Sequence, residues 1–165
     1  MNADAFRYLY DYHFAENHKL WHYATMLTPE QFTQPLNYSH GSVRDQIVHL
    51  LKVDDAWFGG LRGNNFPEPA DPINPDNLPD RQTIRTYGDQ VEQRVRQYLT
   101  TLRDDMLFTK PLSGEDEDLT LWQVPLHVAN HGTDHRAQTL RLLNDLGVET
   151  MYQDFVFYIY GHPMD

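Results

Sequence analysis

Residues 121–146 read LWQVPLHVANHGTDHRAQTLRLLNDL. Within them Leu121, Val124, Val128, His131, His135, Leu142 and Leu146 recur at steps of three and four, with Gln138 or Thr139 filling the one gap. On a helix of 3.6 residues per turn this traces a single stripe roughly 100° wide, the width of a side that faces a core. Gly147 suits a left-handed helix end, and Pro125 is tolerated only in a first turn. The spacing therefore predicts a helix within Leu119–Leu146, regular from near Trp122 to Val124 onward.

Three more helices are predicted upstream. Ala3–Leu27 has no proline or glycine and carries Phe6, Tyr10, Phe14, Leu20, Ala24 and Leu27 at helical steps. Thr28-Pro29-Glu30-Gln31 reads as a cap and one short turn that ends by Pro35. Ser42 then offers an N-cap with Asp45 three residues on, and Val43, Ile47, Leu50, Trp57, Phe58 and Leu61 continue toward Gly63. Arg81–Leu102 repeats the pattern with Ile84, Tyr87, Val91, Val95 and Tyr98. Between the second and third long helices, Pro67, Pro69, Pro72, Pro75 and Pro79 take half of the ten prolines, which forbids a helix there. At roughly 3 Å per residue that connection is long enough to run back along a bundle and let the helices on either side lie parallel. The acidic stretch 113–118 lacks the ligand order of a calcium loop and reads as a solvated loop. No strand-period segment of comparable strength occurs. These features predict an all-α fold, a four-helix bundle forming one domain over residues 1–165. The apolar tail Phe155–Tyr160 is expected to pack, with the last long helix, into the core.

Composition narrows the function. Hydrophobic residues make up 40% and charged residues 22% of the 165, ordinary globular usage. With 24 acidic and 13 basic side chains the net charge is −11, which argues against generic nucleic-acid binding. No apolar run reaches the roughly 18 residues of a membrane span, and residues 1–10 do not resemble a signal peptide, so a soluble cytoplasmic protein is expected. There is no cysteine, hence no disulfide, thiolate ligand or cysteine nucleophile, and a metal would have to be held by nitrogen or oxygen. Nine histidines stand out against that background.

His131 and His135 lie one turn apart inside the apolar stripe, close enough to ligate one ion. His127 extends the ladder, but it is about 12 Å along the axis from His135 and roughly 70° off the centre of the stripe. A zinc-protease reading fails because Gly132 stands where the general-base glutamate would follow the first histidine. The third ligand is left open by spacing among His13, His18, His22, His40, His49 and His162. His18 and His22 read as exposed, and His49 shares its face with Asp45, Val53 and Ala56 rather than with the core stripe. Asp54 falls on the apolar stripe and is a candidate hydrogen-bond acceptor for a ligand imidazole, although a surface position is the expectation. Arg136 reads as a packing or ion-pairing residue, and Trp57, Tyr8 and Tyr12 as core aromatics or pocket walls.

Asn130-His131-Gly132-Thr133-Asp134-His135-Arg136-Ala137-Gln138 closely resembles the N-H-x-x-x-H-R-x-Q signature of the DinB-like (DinB/YfiT) family of metal-dependent proteins. Ser42–Leu50 followed by Trp57, Tyr12–Asn17 and the tail Asp154–Tyr158 also resemble that family, so the likeness extends over nearly the whole chain. It implies a bundle in up-down-down-up order, which agrees with the long proline-rich connection. It also implies that a histidine of the second long helix joins the two of the last, giving His49, His131 and His135 as ligands of a divalent transition metal. Nitrogen donors without sulfur suit zinc, nickel or iron(II) alike.

Characterised relatives in that family activate or use low-molecular-weight thiols. The resemblance therefore implies transfer or hydrolysis on a small-molecule substrate, with water or a thiol cosubstrate as nucleophile, a transferase or hydrolase role, and a homodimer. The alternative is a non-catalytic stress-response module that binds a metal or small ligand. The catalytic residues proper and the substrate are not specified by the sequence.

Overall fold

The computed structural model describes residues 1–63 and 70–161, so Pro67, Pro69 and His162 lie outside the described residues. Among the described residues the chain is all-α, with four long helices and no strand. The long helices are α1 (Ala3–Thr25), α3 (Val43–Arg62), α4 (Arg81–Thr101) and α5 (Gln123–Asp145); the short ones are α2 (Pro29–Thr33) and α6 (Phe155–Ile159). No described helix is long and apolar enough to cross a membrane.

Local chemistry sets these boundaries. The Ser42 hydroxyl accepts from the Asp45 backbone N–H at 3.1 Å and starts α3. Thr28 and Gln31 form a reciprocal capping box around Pro29. The Asp80 carboxylate caps α4 through Thr83 N at 2.8 Å. At the far end of α5, Gly147 takes φ +88° and lets Val148 N reach the Leu143 carbonyl at 2.9 Å.

The described residues divide into two compact units, and α1, α3 and α5 contribute to both. One unit holds 1–8 and 50–128, with a core around Phe6, Phe58, Ile84, Tyr87, Val91 and Leu121. In it the proline-rich connection is fastened: Gln90 accepts from Ile73 N at 3.2 Å, and Lys52 pairs with Asp76 at 2.8 Å. Arg94, almost fully buried, is held by Asp55 at 2.7 Å. The acidic stretch is an exposed loop with a single 3-10 turn at Gly114–Asp116.

The other unit holds 9–49 and 129–161 of the described residues, around Tyr10, Phe14, Leu20, Phe32, Val43 and Leu143. Here the expectation for the tail needs correction, because α6 has no buried residue. Tyr12 meets the Phe155 and Tyr158 rings, while Val156, Ile159 and Tyr160 stay exposed. A five-residue helix attached through one face cannot bury all its apolar side chains, whatever its composition.

Candidate metal centre

All the residues of the site belong to the second unit. The first two turns of α3 present Gln46 and His49, and α5 presents His131 and His135 one turn apart. His49 Nε2 stands 3.1 Å from His131 Nε2. Two imidazole nitrogens bound at about 2.1 Å to one tetrahedral ion would be about 3.4 Å apart, so this pair fits a shared ion. The His131 and His135 ring centroids are 4.2 Å apart, and those of His49 and His135 are 4.6 Å apart. The two positions that spacing singled out on α5 are thus brought together with His49.

A fourth imidazole, His40, approaches two of them, His49 and His135. One ring nitrogen of each of His40, His49 and His135 lies within 4.8 Å of the other two, and the His40 ring stacks on His49 at 3.7 Å between centroids. His40 is exposed, while His49, His131 and His135 are half-buried.

Electrostatics favour neutral rings. Burial pushes the His49 imidazole down to about 4, and the nearby rings of His40, His135 and His131 act in the same direction. Burial and then His40 also lower His135, against a small opposing effect of the Asp134 carboxylate. A neutral imidazole keeps a lone pair for a metal. Gln46, fully buried, sets its Oε1 3.4 Å from His135 Nδ1, which leaves the other ring nitrogen for a metal. The Gln46 side-chain nitrogen has no hydrogen-bond partner among the described residues.

A model of the DinB family matches residues 1–164. The chain belongs to the DinB family. No curated protein and no solved structure matches it at a significant level. The donor set of this DinB-family chain, imidazole nitrogens facing one another, fits a divalent transition metal and does not choose among zinc, nickel and iron(II).

The remaining sequence candidates separate cleanly. His13 is fully buried, and both ring nitrogens are engaged, Nδ1 by Arg136 at 3.1 Å and Nε2 by Asn17 at 3.2 Å. His18 and His22 are exposed, as expected. His127 is exposed too, and its ring meets Trp57. Asp54 is buried rather than on the surface, a correction that follows from its place on the apolar stripe of α3. In the first unit Trp57 lines an open cleft of about 320 Å³ with Ala56, Gly60 and Leu112, whereas Tyr8 is exposed.

Arg136 is a packing residue of this DinB-family chain. Buried to 1% exposure, it donates to Gln153 Oε1 at 2.8 Å, Asn17 Oδ1 at 3.0 Å and the Thr133 hydroxyl at 3.2 Å. Sequence reasoning gave Gln46 no role and His40 no preference. The signal for Gln46 was its place one turn before His49 in an apolar run, and for His40 there was none, because a loop residue has no periodicity.

Proposed function

We propose that His49, His131 and His135 hold a divalent zinc, nickel or iron(II) ion and that the protein is a metal-dependent transferase or hydrolase acting on a small molecule. The 3.1 Å approach of His49 Nε2 to His131 Nε2 carries this reading. When bound, such an ion supplies the Lewis acidity that lowers the pKa of a water or of a low-molecular-weight thiol and yields a nucleophilic anion. The chain contributes the rest. His49 and His135 stay unprotonated at neutral pH, and Gln46 fixes the orientation of His135. With no cysteine in the sequence, any thiol enters as a cosubstrate.

The same reading includes one DinB-like domain over 1–165, a bundle in up-down-down-up order bridged by the proline-rich connection, and a cytoplasmic homodimer; the exposed apolar side chains of α6 support the dimer. A second reading, a non-catalytic metal- or ligand-binding stress-response module, draws support from His40, since structural zinc sites are usually closed by four protein ligands.

Elemental analysis of untagged protein tests the proposal. About one divalent ion per chain is expected in wild type and His127→Ala, and little in His49→Ala, His131→Ala or His135→Ala. Wild type that neither carries nor takes up zinc, nickel or iron(II) would overturn it. Catalysis is tested on the loaded protein with thiol and a panel of small electrophiles.

A further inference from the structure

Three observations converge on His40. A ring nitrogen of His40 lies within 4.8 Å of nitrogens of His49 and His135, although the loop that carries it precedes α3 and lies outside every helix. Its backbone is also held in an unusual form. Gly41 N closes a turn on the Tyr38 carbonyl at 3.0 Å, and inside that turn Ser39 takes φ +50°, a left-handed conformation that serine rarely adopts. Ser39 is the described non-glycine residue with positive φ. Finally, the turn is tied to the helix bearing two of the ligands, because the Ser39 hydroxyl donates to Gln138 Oε1, and Gln138 lies one turn beyond Asp134, to which its amide donates at 3.0 Å. Rare backbone geometry persists where surrounding contacts fix it, and it gathers at functional sites.

We propose that His40 is a fourth, exchangeable protein ligand of the metal held by His49, His131 and His135, closing the site at rest and giving up its position to an incoming water or thiol. The inference rests on the proposed metal site. Its chemistry follows from how the four rings are held. His49, His131 and His135 project from helices and are half-buried, so each is fixed by packing. His40 is exposed and stacks face to face on His49, at 20° between planes. Ligation by His40 would therefore call on an exposed ring, and release would return it to the stack. A site of this kind is closed to adventitious ligands but opens for one that binds better than a single exposed imidazole.

Zinc-loaded wild type, His40→Ala and His131→Ala provide the test, with circular dichroism to verify folding. X-ray absorption at the zinc edge counts imidazole ligands, and competition with a chromogenic chelator gives affinity. The expected result is four imidazoles in wild type, and in His40→Ala three imidazoles with oxygen completing the sphere and affinity lower by about tenfold or more. In cobalt-loaded protein, 2-mercaptoethanol should give its thiolate absorption band at a lower concentration in His40→Ala than in wild type, since it no longer competes with His40. Equal ligand counts, affinities and thiol responses in wild type and His40→Ala would overturn the inference while leaving the three-histidine site standing, provided His131→Ala loses zinc. Wild type that binds no metal would overturn both.

Discussion

Gly132 lies so close to the His13 ring that a Cβ placed on it would fall 2.5 Å from His13 Cε1 and 2.9 Å from His13 Nδ1. The ring cannot retreat easily, because Arg136 and Asn17 hold its two nitrogens. Glycine in the middle of α5 thus serves close approach of α1 to α5 within the second unit. In a solvent-exposed helix, Gly→Ala would stabilise by about 1 kcal/mol. Here Gly132→Ala is expected to destabilise by about 1–3 kcal/mol, the usual range for overpacking. Urea unfolding measures the difference, and a more stable variant would show that the contact is not tight.

The tail is fastened at Gln153. Its Oε1 accepts from Arg136 at 2.8 Å, its amide donates to the Thr133 carbonyl at 3.0 Å, and its own carbonyl accepts from the Tyr12 hydroxyl. Gln153→Ala removes the first two bonds and leaves a buried guanidinium nitrogen short of a partner, at a cost of about 1–3 kcal/mol. Hydrogen exchange at residues 155–160 should accelerate in the variant more than exchange in α4. Uniform acceleration throughout would instead mean that the loss is global.

Gln46 offers a separation of binding from stability. Gln46→Leu deprives His135 of its oriented acceptor, and metal affinity is expected to fall about 10- to 100-fold. Stability of the metal-free protein should hold or rise, since the amide nitrogen removed is buried without a partner among the described residues. A variant that loses stability but keeps its affinity would assign Gln46 to packing alone.

The metal-free protein should weaken on mild acidification. With its folded-state pKa lowered to about 4, His49 binds fewer protons in the folded than in the unfolded chain between that value and the ordinary histidine range near 6.5, and the His135 shift has the same sign. Stability is therefore complete above roughly pH 6.5 and declines as the pH falls toward 4. Urea midpoints between pH 7.5 and 5.5, where most carboxylates stay ionised, should drop in wild type and drop less in His49→Ala. A flat profile in wild type would contradict the lowered pKa.

The four long helices were legible because each is a local matter. Ser42 finds its cap partner three residues away, Gly147 ends its own helix, and the α5 stripe declares itself in a single 26-letter window. The pairing of His131 with His135 was local for the same reason. What escaped the sequence depends on partners far along the chain. His13 reads as any histidine on a long helix until Arg136, 123 residues later, engages its ring. His40 belongs to the site through a turn whose left-handed Ser39 no propensity announces. The tail was misjudged because apolar content reports a preference for burial and not whether a surface exists to supply it.

The contact between His49 and His131 joins residues 82 apart in sequence. A ribosome delivers α1, α3 and α4 before it delivers the second half of this pair, so a nascent chain has no assembled clamp until most of it has been made. An ion captured there is captured by a chain that has already closed this long loop, and its binding energy falls on a contact whose closure costs entropy. Metal acquisition would then act as a late checkpoint, favouring completed molecules over fragments and truncated translation products.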